Sequence, residues 1–283
     1  MNYKFSDDTL IIEKNDYFKP DLIFDCGQSF RFFDVNKNKR MGIAFGSIIE
    51  IEERENEYII TSYPKLKEDI LIDFFDLKRD YSEIENSLSK DIILKNAMQF
   101  GRGIRILRQD FFETLLTFIY SQRSNIPKIA KCVEKTAELF GDEIIKDNKK
   151  YYIFPTPEQM ENITVSSLSE IKCGYRSEYI VDAVKKVVNG EIDYQELTAL
   201  PYEKAKEKLM TIKGVGEKVA DCVCLFSLGF FEAFPTDTWI KKAMDSLYGI
   251  SEKEIKAKSD DMFGNLSGIA QQYLFYYLRY NKN

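Results

Sequence analysis

The apolar periodicity of this chain changes once, near residue 105, and that change limits the folds open to it. Before it, apolar residues come in short β-branched or aromatic runs: TLIIEK (9–14), SFRFFDV (29–35), MGIAFGSIIEIEE (41–53) and YIITSY (58–63). This is a strand pattern. VNKNKR and RENE separate the runs, and Asn15, Asp16 and Pro20 mark a further break. Two helical segments, about 66–79 and 82–97, follow and are expected to pack on the sheet. An antiparallel sheet with helices on one face is the economical reading.

After residue 105 the period becomes 3.6. DFFETLLTFIYSQ (110–122) is too apolar for a solvent-facing helix and is expected to be central. IPKIAKCVEKTAELFG (126–141) is amphipathic, with Pro127 in its first turn and Gly141 past its end. TPEQM (156–160), SSLSEIK (166–172), SEYIVDAVKKVVNG (177–190), YEKAKEKLMTI (202–212), DTWIKKAMDSLYG (237–249) and NLSGIAQQYLFYYLRYN (265–281) continue the helical series. A sheet domain followed by a two-part helical body is predicted.

The chain contains no histidine. That excludes Ser–His–Asp and Cys–His nucleophiles and any zinc site that needs imidazole. Acid–base chemistry falls to carboxylates, lysine, tyrosine or cysteine. Cys26, Cys132, Cys173, Cys222 and Cys224 form no CxxC pair or fourfold cluster, so neither a disulfide framework nor a metal or iron–sulfur site is expected. No cofactor is expected either. No run approaches 18 consecutive apolar residues, and MNYKFSDDTL lacks a basic-then-apolar leader pattern. A cytoplasmic protein with no membrane association is the expectation.

The net charge of −6 argues at first against a nucleic-acid partner. Its distribution reverses that inference. Residues 1–100 carry 14 basic and 20 acidic side chains, whereas 101–283 carry 26 of each. Within 101–135, seven basic residues (Arg102, Arg105, Arg108, Arg123, Lys128, Lys131, Lys135) face three acidic ones. A local DNA-facing patch is predicted there.

Chemistry concentrates in residues 209–244, LMTIKGVGEKVADCVCLFSLGFFEAFPTDTWIKKAM. Gly214–Val215–Gly216 reads as a tight turn between two helices. Glycine permits positive φ and close approach of a phosphate, and the free N–H groups of the second helix favour an anion. Lys218 sits just inside that helix, where the positive end of the dipole disfavours a second positive charge; a lysine so placed suits nucleophilic chemistry. Cys222, four residues on, shares its face. Asp237 follows Pro235 at the start of the next helix, a natural N-cap. Taken singly, each also suits a structural role: a surface lysine, a small core cysteine, a helix cap.

Taken together, the hairpin, the lysine and the Pro…Asp loop resemble the helix-hairpin-helix DNA glycosylases. In that superfamily the lysine attacks C1′ of the damaged nucleotide, and the aspartate supports positive charge developing on the sugar. The chain is similar, from about residue 20 to 280, to the 8-oxoguanine DNA glycosylase/AP lyases. CGQSFRF (26–32) matches the segment in which a glycine carbonyl, here Gly27, accepts from N7–H of 8-oxoguanine. ILRQDFFETLLTFIYSQRSNIPKI (106–129) resembles the segment ending in an asparagine-rich turn. GIAQQYLF (268–275) matches the stretch whose glutamine and phenylalanine read and stack on the purine, here Gln271 and Phe275. The flipped base would lie between Phe275 and Cys222. In CGYRSEY (173–179), Tyr175 and Arg176 match residues that wedge beside and contact the orphaned cytosine; Arg176 is otherwise a phosphate contact or a solvated helix residue.

The resemblance implies an α+β fold: an antiparallel, TATA-binding-protein-like sheet domain (1–104) with helices on one face, then an all-α body (105–283) containing the helix-hairpin-helix. About 105–158 plus 246–283 would form one half of that body, and about 159–245 the other. It implies a monomer acting on double-stranded DNA that contains 8-oxoguanine. Two departures stand out. Gln122, Arg123 and Ser124 precede Asn125 where animal-type relatives carry asparagines, and Lys128 replaces an arginine, so discrimination of the opposite base is expected to relax. Trp239 replaces a phosphate-contacting histidine, and indole brings one donor but no charge.

Overall fold

The computed structural model describes residues 1–281. Six strands form one antiparallel sheet: β1 (Tyr3–Ser6), β2 (Thr9–Glu13), β3 (Phe32–Asn36), β4 (Lys39–Ala44), β5 (Ser47–Glu53) and β6 (Glu57–Tyr63), in the order β1-β2-β6-β5-β4-β3. Helix α1 (Pro20–Asp25) leads into the segment before β3. The run 41–53, read as one strand, is a hairpin: Phe45 and Gly46 both adopt positive φ (51° and 70°) and turn the chain between β4 and β5. The hydrophobic pattern conceals this turn because Phe45 stands where glycine or asparagine normally signals one. The sequence pattern also gives no sign of the short edge strand β1.

One sheet face buries Leu10, Ile12, Ile49, Ile51 and Ile60 against Phe18, Phe24 and helix α2 (Glu68–Phe74). The next two helices behave differently from expectation. The 82–97 segment is split into α3 (Tyr81–Leu88) and α4 (Ile92–Phe100), because Asp91 accepts from Leu94 N and starts a new helix. Their apolar faces (Tyr81, Ile84, Leu88, Leu94, Met98) join the large core of the helical body and not the sheet.

That core is built around α5 (Phe111–Tyr120), every residue of which but Glu113 is buried. Asp110 caps it through Glu113 N, and α6 (Ile126–Phe140) starts at the Asn125 cap with proline in its first turn. A hairpin of β7 (Glu143–Lys146) and β8 (Lys149–Tyr152) follows, unannounced in sequence. Its Ile144 and Tyr151, with Ile153, cover the second face of the sheet at Met41, Ile43 and Ile48. TPEQM and SSLSEIK give only 3₁₀ turns, at Glu158–Met160 and Ser169–Ile171; the second ends at Lys172, whose φ is 57°.

The remaining helices are α7 (Arg176–Val188), α8 (Tyr194–Ala199), α9 (Tyr202–Leu209), α10 (Glu217–Val223), α11 (Thr238–Tyr248), α12 (Ile255–Phe263) and α13 (Ser267–Tyr280). Helix α10 continues as a π-helical turn to Leu228, and Gly229 ends it in the left-handed conformation. Among the described residues no helix is long and apolar enough to cross a membrane.

Candidate active site and DNA-facing surface

A cavity of about 820 Å³ opens where α5, α6, α10, α11 and α13 meet the segment after α1. Of the residues singled out in sequence, Gly27, Arg123, Asn125, Gly216, Lys218, Cys222, Asp237, Gln271 and Phe275 line it. Tyr175, Arg176, Gly214, Val215 and Lys128 lie outside its wall.

The hairpin is held from behind. Gly214 has φ 77°, and a Cβ there would sit 2.3 Å from the Tyr179 ring. Asp182 accepts from Lys213 N at 2.7 Å. This fixes Gly216 as the N-cap of α10 and sends Lys218 into the cavity. Lys218 Nζ donates to Ser121 Oγ at 2.8 Å and stands 5.2 Å from the centre of the Phe118 ring. Cys222 is buried one turn on, and burial pushes its thiol up to about 12, so it presents a neutral wall. Asp237 caps α11 as expected. Its Oδ1 accepts from both Trp239 N and Ile240 N at 2.9 Å, which leaves Oδ2 without a bond among the described residues.

The opposite wall is shaped for a flat apolar group. Gly27 has φ 81°, and its missing Cβ would lie 3.1 Å from Phe275 Cε1, so any side chain there intrudes on the ring. The carbonyls on either side of Gly27 are occupied: Gln272 Nε2 donates to Cys26 O, and Gln109 Nε2 to Gln28 O at 2.8 Å. The Gly27 carbonyl between them accepts no hydrogen bond among the described residues. Gln271 Nε2 donates to Pro235 O at 3.2 Å, which turns its Oε1 away as a buried acceptor with no partner. Two unused acceptors beside one ring fit a ligand with donors on two edges.

Arg176 departs from the sequence expectation. It is 5% exposed, and its guanidinium donates to the carbonyls of Gln122, Arg123 and Cys173. It is neither a solvated residue nor a group held out toward DNA. It clamps the turn in which Arg123 adopts φ 48° and projects an exposed side chain. Tyr175, beside it, is 47% exposed, with the Arg176 guanidinium 4.7 Å from its ring centre. Asn125 spends its Oδ1 on capping α6 through Lys128 N.

The basic patch read from 101–135 is smaller in three dimensions. Arg105 is fully buried and donates to the carbonyls of Tyr17, Phe75, Asp76 and Arg79. Arg102 pairs with Glu85, and Arg108 donates to Leu228 O. All three arginines are committed to partners within the protein, a role that charge counting cannot distinguish from a surface one. The cavity lining is nonetheless cationic: Arg123, Lys218, Lys241 and Arg279 against Glu217 and Asp237. Trp239, 36% exposed, also lines it.

Four site residues escaped sequence reasoning: Ser121, Gln109, Gln272 and Arg279. Ser121 and Gln109 carry no spacing signal. Gln272 adjoins Gln271, and consecutive helical residues point about 100° apart, so the pair divides between cavity and carbonyl. Arg279 was findable, at i+4 from Phe275 and i+8 from Gln271.

Two family descriptions match the chain: "8-oxoguanine DNA glycosylase, N-terminal domain" over residues 9–115, and "HhH-GPD superfamily base excision DNA repair protein" over 116–264. The N-glycosylase/DNA lyase of Saccharomyces cerevisiae is 30% identical, across 91% of this chain and 76% of its own length. A DNA-3-methyladenine glycosylase of Bacillus subtilis is also 30% identical, over 72% of this chain and 65% of its own. Among solved structures, the Clostridium acetobutylicum 8-oxoguanine glycosylase/lyase, in complex with double-stranded DNA containing cytosine opposite 8-oxoguanine, superposes with a TM-score of 0.93. It is 40% identical and covers 100% of this chain and 99% of its own.

Proposed function

Because this chain belongs to the 8-oxoguanine DNA glycosylase/lyase family of the helix-hairpin-helix superfamily, we propose that it flips 8-oxoguanine out of duplex DNA, excises it and nicks the strand. The observation that carries this reading is the unoccupied Gly27 carbonyl, held between two occupied ones beside the Phe275 ring. 8-Oxoguanine has a proton on N7 where guanine has a lone pair. A fixed acceptor is satisfied by the first and repelled by the second. Gln271 Oε1 suits the N–H groups on the pairing edge of the same base.

Lys218 is the nucleophile in this mechanism. Its neutral amine attacks C1′ as the bond to N9 breaks; the departing base takes the electron pair and a proton. Asp237, through its unbonded Oδ2, stabilises the oxocarbenium-like sugar and assists deprotonation of Lys218. Ring opening leaves an imine between Nζ and C1′. Loss of a proton from C2′ then expels the 3′ phosphate by β-elimination, and water releases the lysine. Gly214, Val215 and Gly216 grip the DNA backbone, Arg123, Asn125 and Lys128 face the orphaned partner base, and Tyr175 wedges at the vacated position. The preferred partner base is cytosine, with relaxed discrimination.

The similarity to a 3-methyladenine glycosylase keeps a second reading, excision of another damaged base, in view. Lys218 weighs against it, because an alkylated base already carries the positive charge that makes it leave and needs no amine. The test is to incubate the protein with a duplex containing 8-oxoguanine opposite cytosine and add borohydride. A covalent adduct is expected. No adduct removes the lyase reading, and an adduct that persists in Lys218→Gln rejects the nucleophile.

A further inference from the structure

Gln271, Phe275 and Arg279 form one row along α13, and the row climbs out of the cavity. Gln271 and Phe275 are 4% and 8% exposed, whereas Arg279, about 6 Å further along the axis, is half-buried at the mouth. The Arg279 guanidinium stands 5.7 Å from the centre of the Phe275 ring and 5.2 Å from that of Tyr280. Its stem is thus packed and its direction set. Among the described residues it makes no ion pair and no hydrogen bond, although the chain carries more acidic than basic side chains. Lys241, which lines the same cavity, is paired with Glu252. A stacked, unpaired guanidinium beside an apolar slot has its donors free for a planar or tetrahedral anion.

We propose that Arg279 binds a phosphate flanking the flipped nucleotide. This rests on the glycosylase reading above, and the chemistry follows from it. A base seated against Phe275 and Gln271 must leave its sugar and phosphates outside the slot, on the side where the row ends. The contact therefore forms only when the nucleotide is everted, which makes Arg279 a group that favours the flipped state over general DNA binding. A packing role at the end of α13 predicts something different: a loss of stability with no change in salt dependence.

The test uses Lys218→Gln protein, so that excision does not consume the DNA, with and without Arg279→Met, which preserves the length and apolar character of the stem. Binding to a duplex carrying 8-oxoguanine opposite cytosine, and to the undamaged duplex, is measured from 50 to 200 mM salt. On the lesion duplex Arg279→Met is expected to lower the slope of log affinity against log salt by about one, so that affinity falls about fourfold less over that range. Arg279→Lys should retain the slope. On the undamaged duplex the slope should not change. An unchanged slope on the lesion duplex, or equal losses on both duplexes, overturns the proposal while leaving lesion preference intact. Loss of lesion preference in the Arg279-containing protein overturns the functional reading itself, and the proposal with it.

Discussion

Lys218 Nζ donates to Ser121 Oγ at 2.8 Å, and Ser121 Oγ donates in turn to the Phe118 carbonyl at 2.7 Å. The second bond uses the only hydroxyl proton, so Ser121 faces the lysine purely as an acceptor and holds Nζ against the end of α5. Ser121→Ala removes that anchor. A hydrogen bond to a charged group contributes about 1.5–3 kcal/mol, and part of it fixes the angle of attack. Borohydride trapping under single-turnover conditions should slow by about tenfold. An unchanged rate would show that Lys218 is positioned by α10 alone.

Gly27→Ala places a methyl group 3.1 Å from Phe275 Cε1 at a residue whose φ is 81°. Strain of this kind costs about 1 kcal/mol, a few degrees in the unfolding midpoint. Excision should suffer far more, by at least tenfold, because the ring that lines the slot is displaced. Thermal unfolding and single-turnover excision, measured on the same protein, check the two magnitudes separately.

Arg176→Ala leaves the carbonyls of Gln122, Arg123 and Cys173 without donors and unfastens a turn that contains a left-handed arginine. Loss of a buried, multiply bonded guanidinium typically costs about 3 kcal/mol, whereas a surface DNA contact costs within about 0.5. The denaturant midpoint of the variant decides between the two.

Changing the opposite base from cytosine to adenine, guanine or thymine should reduce excision less steeply than in a relative with the asparagine and arginine set. Arg123 and Lys128 replace that set, and Arg176 is engaged with backbone. A fall as steep as in such a relative would show that this chain reads the orphan base by other residues.

Glu113, the half-buried residue of α5, is pushed up to about 7 by the partial desolvation of its carboxyl among packed neighbours, against the pull of Arg31 4.0 Å away. Its folded pKa exceeds the unfolded value, so the folded state holds the extra proton between about pH 4.5 and 7, and stability from this group falls as pH rises through that window. Glu113→Gln should therefore gain on the wild type by about 3 kcal/mol between pH 4.5 and 7.5. Parallel denaturation curves at the two pH values would refute the assignment.

The legible parts of this molecule were those with a local signature. The strand-to-helix switch, the G-x-G turn, the lysine two residues beyond it and the Asp237 cap each follow from spacing or from an end effect of a helix. The illegible parts depend on partners distant in sequence. Gln272 secures the Cys26 carbonyl across 246 positions, and nothing in the neighbourhood of either residue announces it. Arg105 and Arg176 defeated charge counting, since a buried guanidinium that serves backbone carbonyls and one that serves phosphate look alike in a string of letters. Phe45 hid a hairpin because it accepts a positive φ that its residue type rarely adopts.

Trp239 is the sole tryptophan in 283 residues, and it stands at the edge of the cavity with the Lys242 amine 5.4 Å from its ring. When light beyond the absorption of the 17 tyrosines is used for excitation, the emission of the whole molecule therefore originates from one spot, beside the slot proposed to admit the damaged base. Occupancy of that slot changes the polarity around a single indole, with no second fluorophore of its kind to dilute the signal. The protein carries its own optical gauge, and no label is needed to time the arrival of a nucleotide.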